Sequence, residues 1–133
     1  QGRHPGFITH LAVSPDSRLL ATGCWDALAR VWDLASGREV LAPMQSGLEA
    51  TRTLGYLPDG KTIITLVDSG NLHAWSAITG QETLAFTERL DTPFAIAPDG
   101  NWFLTRPADS PEAILMTRLP TLAEIDADLA QGP

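Results

Sequence analysis

Apolar and polar residues alternate over short runs along this chain. The clearest runs are "FITHLAV" from Phe7, "RLLATG" from Arg18 and "ALARVWDL" from Ala27. A period of two is typical of a β-strand with one buried face, and turn-forming residues separate the runs at intervals of about ten residues. The pattern therefore predicts a series of short antiparallel strands.

The turns recur with a fixed spacing. "SPDS" begins at Ser14, "LPDG" at Leu57 and "APDG" at Ala97, which are spacings of 43 and 40 residues. A second marker, "VWDLASGREVL" from Val31, returns as "AWSAITGQETL" from Ala74, again 43 residues later. Two independent markers with one period indicate a repeated unit of about forty residues.

Each unit reads as a four-stranded meander. Pro-Asp-Gly suits a tight turn, and the Ser-Gly and Thr-Gly pairs provide a second turn between the third and fourth strands. A single meander cannot bury both of its faces, so the units must pack face to face as the blades of a β-propeller. The predicted segment is one domain over 1–133, with units at about 4–46, 47–86 and 87–120 and a tail at 121–133.

The first unit carries a family resemblance. The stretch "HPGFITHLAVSPDSRLLATGCWDALARVWD" from His4 to Asp33 resembles the WD-repeat (WD40) β-propeller family, except that Arg3 stands where the family usually has Gly. The resemblance covers roughly residues 4–120 and weakens along the chain. It implies an all-β fold of four-stranded antiparallel blades, about three of them, as a partial propeller or open arc.

The resemblance also implies a hydrogen-bonded relay across the first blade. In this family a loop His, a hydroxyl on the second strand, a turn Asp and the Trp of the third strand form the chain, and here these are His4, Thr22, Asp26 and Trp32. Buried polar groups of this kind are costly unless they are paired, and together they satisfy one another. The relay is expected to hold one blade geometry.

The second unit keeps only part of this pattern. Thr65 and Trp75 hold the hydroxyl and Trp positions, but Gly47 replaces the His and Ser69 replaces the Asp. Asp68 lies one residue earlier as a partial substitute, but the register argues against it. The second relay is therefore expected to be incomplete.

The third unit is weaker still. Thr105 and Asp109 take the hydroxyl and acid positions, whereas the Trp position is predicted to fall on Leu115 or Met116, and Pro111 interrupts the approach to the third strand. The tail is either the last outer strand or a short helix, for which Thr121 and Glu124 form a capping box. Both alternatives stay open.

Three units are fewer than the 4 to 8 blades of typical propellers. Three arrangements follow: a piece of a longer protein, two sets of three blades that close a ring by self-association, or an open arc with exposed strand edges. The first is preferred.

Charge limits the partners. Nine basic and sixteen acidic residues leave a net charge of −7, and the basic residues are scattered singly, which disfavours nucleic acid. No apolar stretch approaches the roughly 20 residues of a membrane helix, so no membrane partner and a cytoplasmic location are expected. Eight of the nine basic residues are Arg, a bias typical of GC-rich genomes, and this points to a bacterial source.

Metal or cofactor binding is not expected from the spacing of the candidate ligands. His4, His10 and His73 lie far apart, without the short spacings of a metal site, and the last two are expected to be structural or channel-lining. Cys24 is the only cysteine, so no internal disulfide can form, and it is expected to be a small buried residue.

Catalysis is not expected either. Ser14 beside Asp16 is explained by its turn, and the chain has no Gly-x-Ser-x-Gly elbow. The glycines form no phosphate-binding pattern.

The function class that remains is recognition of a partner protein. The resemblance implies that one rim of the propeller contacts partner peptides, and Trp25, just before the turn Asp, is the leading candidate. The alternative is that Trp25 packs on an adjacent blade. Further candidates by register are Phe7, Thr9, Ala50, Arg52, Leu90 and Thr92.

The sequence thus predicts a non-enzymatic interaction or scaffold module with a protein or peptide partner. Two alternatives stay open: a C-terminal regulatory or substrate-presenting region of a larger enzyme, such as a signalling kinase or protease, and a chain that is itself catalytic.

Overall fold

The computed structural model describes residues 3–45, 47–86, 90–107, 109–110 and 112–118. These residues form strands and turns, and no helix long and apolar enough to span a membrane occurs among them. The strands are β1 (Ile8–Val13), β2 (Leu19–Cys24), β3 (Leu28–Asp33), β4 (Met44–Gln45), β5 (Thr51–Tyr56), β6 (Thr62–Val67), β7 (Leu72–Ser76), β8 (Glu82–Phe86), β9 (Leu90–Ile96), β10 (Trp102–Pro107) and β11 (Leu115–Arg118).

The strands form three antiparallel sheets in chain order. Blade 1 has the order β1-β2-β3-β4, blade 2 has β5-β6-β7-β8, and blade 3 contains β9-β10-β11. The predicted all-β fold of propeller blades is therefore confirmed. The tail at 121–133, with its strand and helix alternatives, lies outside the described residues.

Tight turns join the first two strands of each blade. The residue after Pro-Asp adopts a positive φ in all three: Ser17 at 61°, Gly60 at 67° and Gly100 at 73°. A Cβ on Gly60 would lie 3.7 Å from the Pro15 ring, and one on Gly100 would lie 3.3 Å from the Pro58 ring. The turns of blades 2 and 3 therefore rest against the corresponding turn of the preceding blade.

Each blade has two faces because successive side chains of a strand point to opposite sides. We call the face of blade 1 that carries Leu20 and Trp32 its leading face, and the face with Ala21 and Val31 its trailing face. The cross-strand pairs Leu20–Trp32 and Ala21–Val31 place each pair on one side. The leading faces of blades 2 and 3, and their trailing faces, are defined by the corresponding strand positions.

Two apolar cores lie between the blades. In the first, the trailing face of blade 1 packs on the leading face of blade 2; its buried members are Ala21, Ala29, Val31, Met44, Tyr56, Ile63, Trp75 and Ala77. In the second, the trailing face of blade 2 meets blade 3; it consists of Leu57, Ile64, Leu66, Leu72 and Ala74, with Leu84, Ile96 and Leu115 packed against them. The blades therefore follow one another with trailing face on leading face.

The pairing in blade 3 corrects one prediction. Leu20 pairs with Trp32 in blade 1, and the corresponding residue of blade 3, Phe103, pairs with Thr117. The Trp position is therefore Thr117, and its prediction at Leu115 or Met116 was wrong. The connection between the two strands is two residues longer than in blade 1, which moves the register.

Candidate functional site

Three residues of the predicted relay meet on the leading face of blade 1. The Trp32 indole Nε1–H donates to Thr22 Oγ1 at 2.9 Å, and His4 Nε2 lies 2.5 Å from the same oxygen. The imidazole meets the indole edge-on, with ring centroids 5.9 Å apart. The loop before β1 is thereby tied to β2 and β3.

Arg30 is a member of this network that the sequence reasoning missed. Its Nη1 donates to Asp26 Oδ2 at 2.8 Å and also contacts His4 Nδ1. His4 Nδ1 and Asp26 Oδ2 themselves are 3.7 Å apart, beyond hydrogen-bonding distance. The Arg30 guanidinium therefore connects the His4 imidazole to the Asp26 carboxylate. The relay that the resemblance implied contained His4 and Asp26 but not Arg30.

The position of Arg30 determines the tautomer of His4. A guanidinium can only donate, so His4 Nδ1 must accept and the imidazole proton must sit on Nε2. Nε2–H then donates to Thr22 Oγ1, which accepts from both rings. This assignment requires a neutral imidazole.

The pKa shifts agree with that charge state. Burial, and after it the positive charge of Arg30, lowers the pKa of His4 below 6.5, against smaller opposing effects of Asp26 and Glu39. Burial alone would raise the pKa of Asp26, but hydrogen bonds from Arg30, the Cys24 thiol and the Leu28 amide outweigh it and lower the pKa below 3.8. At neutral pH the site holds a neutral His4 beside an Asp26–Arg30 ion pair.

The turn between β2 and β3 sets the carboxylate in place. Asp26 Oδ1 accepts the Leu28 amide at 3.0 Å, and the Asp26 amide contacts Cys24 Sγ at 3.4 Å. Ala27 takes a positive φ of 67°, which closes the turn. Cys24 is fully buried, as its sequence context predicts.

Glu39 extends the network through Arg30, and a contact at the equivalent positions recurs in the next blade. Arg30 Nε lies 3.7 Å from Glu39 Oε1, and 43 residues later His73 Nδ1 contacts Glu82 Oε1. His73 also lies over Trp75, with ring centroids 6.1 Å apart. The signal was present in the sequence, because residues 30 and 39 reappear as 73 and 82 at the repeat spacing.

Blade 2 keeps half of the relay. Trp75 Nε1–H donates to Thr65 Oγ1 at 2.9 Å, as in blade 1. Asp68 does not join it: its carboxylate is exposed and lies 3.7 Å from Arg52 Nε. The Ser69 amide instead donates to Glu49 at 2.8 Å, so the turn is capped from the surface.

The positions in blade 3 diverge further. Thr105 is buried on β10, whereas Asp109 lies exposed in the turn that follows this strand. The hydroxyl position therefore stays inside the blade and the acid position faces solvent.

The chemistry of the blade 1 network is that of a closed structural site. His4, Cys24 and Asp26 place one ligand atom each within 4.8 Å of one another, a grouping that could hold a metal ion. Arg30 Nη1, however, bonds Asp26 and contacts His4 at the centre of that grouping. A divalent cation would have to displace a guanidinium from its ion pair, so we assign the network to blade stability.

Two aromatic rings stand exposed on the rim beside this network. Trp25 is 64% exposed and Phe7 is 74% exposed, and their rings meet edge to face at 5.4 Å and 79°. The Trp25 amide donates to the Phe7 carbonyl at 3.1 Å. Trp25 therefore packs on Phe7 of its own blade.

The other rim candidates are arranged differently. Thr9 Oγ1 donates to the Thr51 carbonyl at 2.5 Å, so it ties blade 1 to blade 2, and Arg52 pairs with Asp68. The side chains of Leu90 and Thr92 lie outside what the structure describes. The Asp68 amide donates to the Ala50 carbonyl at 3.2 Å, which repeats the backbone bond of the aromatic pair. The rim backbone geometry thus recurs in blade 2, where Ala50 and Asp68 stand at the positions of Phe7 and Trp25.

The first two blades share one pattern, a four-stranded meander with a Trp–Thr bond that recurs 43 residues later. The family model described as "WD domain, G-beta repeat" matches residues 2–33, the part that carries the complete relay. Residues 2–33 are therefore a WD repeat.

The chain is similar to several WD-repeat proteins. It is 30% identical over 88 residues to a periodic tryptophan protein 2 homolog of Schizosaccharomyces pombe, which is 66% of this chain and 10% of that protein. It is 36% identical over 67 residues to the ribosome biogenesis protein ERB1 of Chaetomium thermophilum (50% and 8%), and 32% identical over 90 residues to human apoptotic protease-activating factor 1 (62% and 7%).

The chain spans a tenth or less of the length of these relatives. All three come from eukaryotes, so they lend no support to the bacterial source that the arginine bias suggested.

Proposed function

We propose that this chain is a non-enzymatic interaction module whose rim around Phe7 and Trp25 binds a peptide segment of a partner protein. The observation that carries the proposal is the pair of exposed aromatic rings. Their centroids lie 5.4 Å apart and their planes are inclined by 79°, so they present two apolar surfaces to a partner. Large aromatic side chains on a rigid frame are typical anchors of protein interfaces.

The frame under the rings is rigid. Phe7 directly precedes β1, and Trp25 directly precedes Asp26, which is fixed by Arg30 and by the Leu28 amide. Little side-chain or loop order has to be gained on binding, so little of the interaction energy is lost. Leu48 is also exposed in the loop before β5, on the same rim of blade 2.

The relatives support the same class of function. One relative is named a periodic tryptophan protein and another a ribosome biogenesis protein, and neither name denotes a catalyst. The buried polar network of blade 1 is paired within itself, and we assign it no substrate.

The test uses the chain as it is. A phage library of random twelve-residue peptides is selected on the immobilised chain, and the selected peptides are measured for affinity to Trp25→Ala and Phe7→Ala. We expect a loss of at least about tenfold for each, a cost of about 1.4 kcal/mol.

The matched control is Ile78→Ala, an equally exposed apolar residue in the turn between β7 and β8 on the opposite rim. Its affinities should equal those of the unmodified chain. Peptides that bind Trp25→Ala and Phe7→Ala as well as the unmodified chain would contradict the assignment of the rim.

A regulatory region within a larger protein is the second candidate. It is favoured by the similarity to apoptotic protease-activating factor 1, a protein named for activating a protease. The sequence of the complete gene decides between the two, because kinase or protease motifs elsewhere in it would replace the stand-alone scaffold with this candidate.

A further inference from the structure

The rim of blade 2 lies between two other blades, because this blade packs on blade 1 through the first core and on blade 3 through the second. Leu48, in the loop before β5, is 92% exposed, and Glu49 beside it is exposed too. Asp68 directly follows β6, and its side chain is 61% exposed. An apolar side chain and two carboxylates therefore face solvent on a rim that has a neighbour on each side.

The backbone holds both acidic residues in place. The Ser69 amide donates to Glu49 Oε2 at 2.8 Å, and the Asp68 amide donates to the Ala50 carbonyl at 3.2 Å. These two bonds join the loop before β5 to the turn after β6. Arg52 Nε lies 3.7 Å from Asp68 Oδ1, but both side chains are exposed, and such pairs contribute little in water. Two carboxylates and one guanidinium leave this edge with a net negative charge.

The acidic edge lies next to the aromatic pair. Thr9 Oγ1 donates to the Thr51 carbonyl at 2.5 Å, so the starts of β1 and β5 are in contact. Asp68 takes in blade 2 the position that Trp25 takes in blade 1. Packed sheets lie about 10 Å apart, and equivalent points on two neighbouring blades are separated by about that distance. The rim therefore presents an aromatic surface and, one blade further on, a pair of carboxylates.

We propose that the rim selects partner segments in which a Lys or Arg lies about three residues from an apolar or aromatic residue. The apolar side chain contacts Phe7 and Trp25, and the basic side chain lies on the carboxylates of Glu49 and Asp68. An extended peptide advances about 3.3 Å per residue, so three residues span the distance from one blade to the next. The aliphatic stem of the Lys or Arg lies along Leu48.

This inference rests on the proposed function and names the chemistry of the partner. The net charge of −7 attracts a basic segment from a distance and raises its association rate. The same charges repel an acidic segment that carries an equally good apolar residue. Charge therefore discriminates between partners that the aromatic pair alone would bind equally.

Parallel peptide selection tests the charge preference. The library of random twelve-residue peptides is selected on the immobilised parent chain, on the double variant Glu49→Gln/Asp68→Asn, and on the control Asp99→Asn. Asp99 is exposed in the turn between β9 and β10, on the opposite rim. Glu49→Gln and Asp99→Asn keep an acceptor oxygen for the Ser69 and Asn101 amides, so the fold should survive, and circular dichroism checks this.

Peptides from the parent chain and from the control should carry Lys or Arg about three positions from an apolar residue, at several times the frequency in the starting library. Peptides from the double variant should keep the apolar residue without that excess.

The affinity of one selected peptide locates the contact. Replacing its basic residue with Gln should weaken binding to the parent chain about two- to fivefold, the range of an exposed ion pair. The same replacement should leave binding to the double variant unchanged, because the interaction is already absent there. Asp68→Lys should reverse the preference, so that the peptide with Glu at this position binds more tightly than the original.

The two proposals fail in different ways. Peptides that lose affinity on Trp25→Ala and Phe7→Ala but carry no excess of basic residues would overturn the basic partner and leave the rim as the binding surface. The same conclusion follows if a basic peptide binds Glu49→Gln/Asp68→Asn as tightly as the parent chain. Peptides that bind Trp25→Ala and Phe7→Ala unchanged would overturn both proposals.

Discussion

At the scale of single residues, Arg30 determines the chemistry of the relay. It carries a positive charge between an imidazole and a carboxylate, and it holds His4 in one neutral tautomer. Buried charges are tolerated when they are paired and hydrogen-bonded, and Arg30 pairs with both Asp26 and Glu39. The site is therefore a stabilising device that depends on its charge state.

Replacing Thr22 with Val is expected to destabilise the fold by about 2 kcal/mol. Val keeps the shape but leaves the Trp32 indole N–H and the His4 Nε2–H without an acceptor in a buried position. Urea unfolding followed by tryptophan fluorescence measures the change. Thr79→Val, at an exposed turn position, is the control and should unfold within about 0.5 kcal/mol of the parent chain.

Equal unfolding midpoints for Thr22→Val and Thr79→Val would show that the Thr22 hydroxyl contributes nothing to stability.

Stability is expected to fall as the pH drops below about 6.5. The pKa of His4 is lowered in the folded chain, so the unfolded chain takes up the proton first. The contribution of His4 to the free energy of unfolding is therefore constant above pH 6.5, the pKa of an ordinary histidine. It decreases below that pH until the imidazole of the folded chain is protonated as well. Urea midpoints between pH 8 and pH 5 measure the slope.

His4→Asn should remove that slope, while His10→Gln, an exposed position on β1, should keep it. A slope that survives His4→Asn would assign the effect to another group.

At the scale of elements, the blades are stabilised by the contact of unlike faces. At the first junction the trailing face of blade 1 carries small residues such as Ala21 and Ala29, and the leading face of blade 2 carries large ones such as Ile63 and Trp75, so the two interdigitate. The turns add a contact of Pro15 on Gly60 at the edge. Each junction therefore combines an apolar centre with a close approach of turns.

Ile64→Ala is expected to cost about 2–5 kcal/mol, because Ile64 is fully buried between blades 2 and 3. The same substitution at Ile78, which is 67% exposed, should cost less than about 0.5 kcal/mol. Thermal and urea unfolding of both variants measure the difference. Similar losses at both sites would mean that the second junction does not form in solution.

At the scale of the whole molecule, the chain carries a net charge of −7. Repulsion between like charges opposes the compact folded state, whereas burial of the apolar junctions between the blades favours it. Salt screens the repulsion and leaves the apolar contacts in place.

The urea midpoint of unfolding is therefore expected to rise between 0.05 M and 0.5 M sodium chloride. Urea unfolding at both salt concentrations measures it. A midpoint that falls with salt would show that ion pairs such as Asp26–Arg30 contribute more to stability than the net repulsion costs.

Much of this architecture could be read from the chain, because each feature is local. The period between Ser14 and Leu57, the alternation in β1 and the Trp–Thr spacing all depend on short-range geometry. The register of blade 3 could not be read, since the longer connection before β11 changes which residue meets Phe103. The sequence reasoning likewise missed Arg30, because its role depends on a loop 26 residues away.

The sequence by itself determined the class of fold, the recurring turns and the residues that form the Trp–Thr bonds, because turn chemistry and strand alternation act over a few residues. Only the tertiary structure decided that Arg30 connects His4 to Asp26, that Trp25 packs on Phe7 of its own blade, and that Thr117 takes the Trp position of blade 3. These depend on which strands and loops approach each other in space, and no local pattern specifies that.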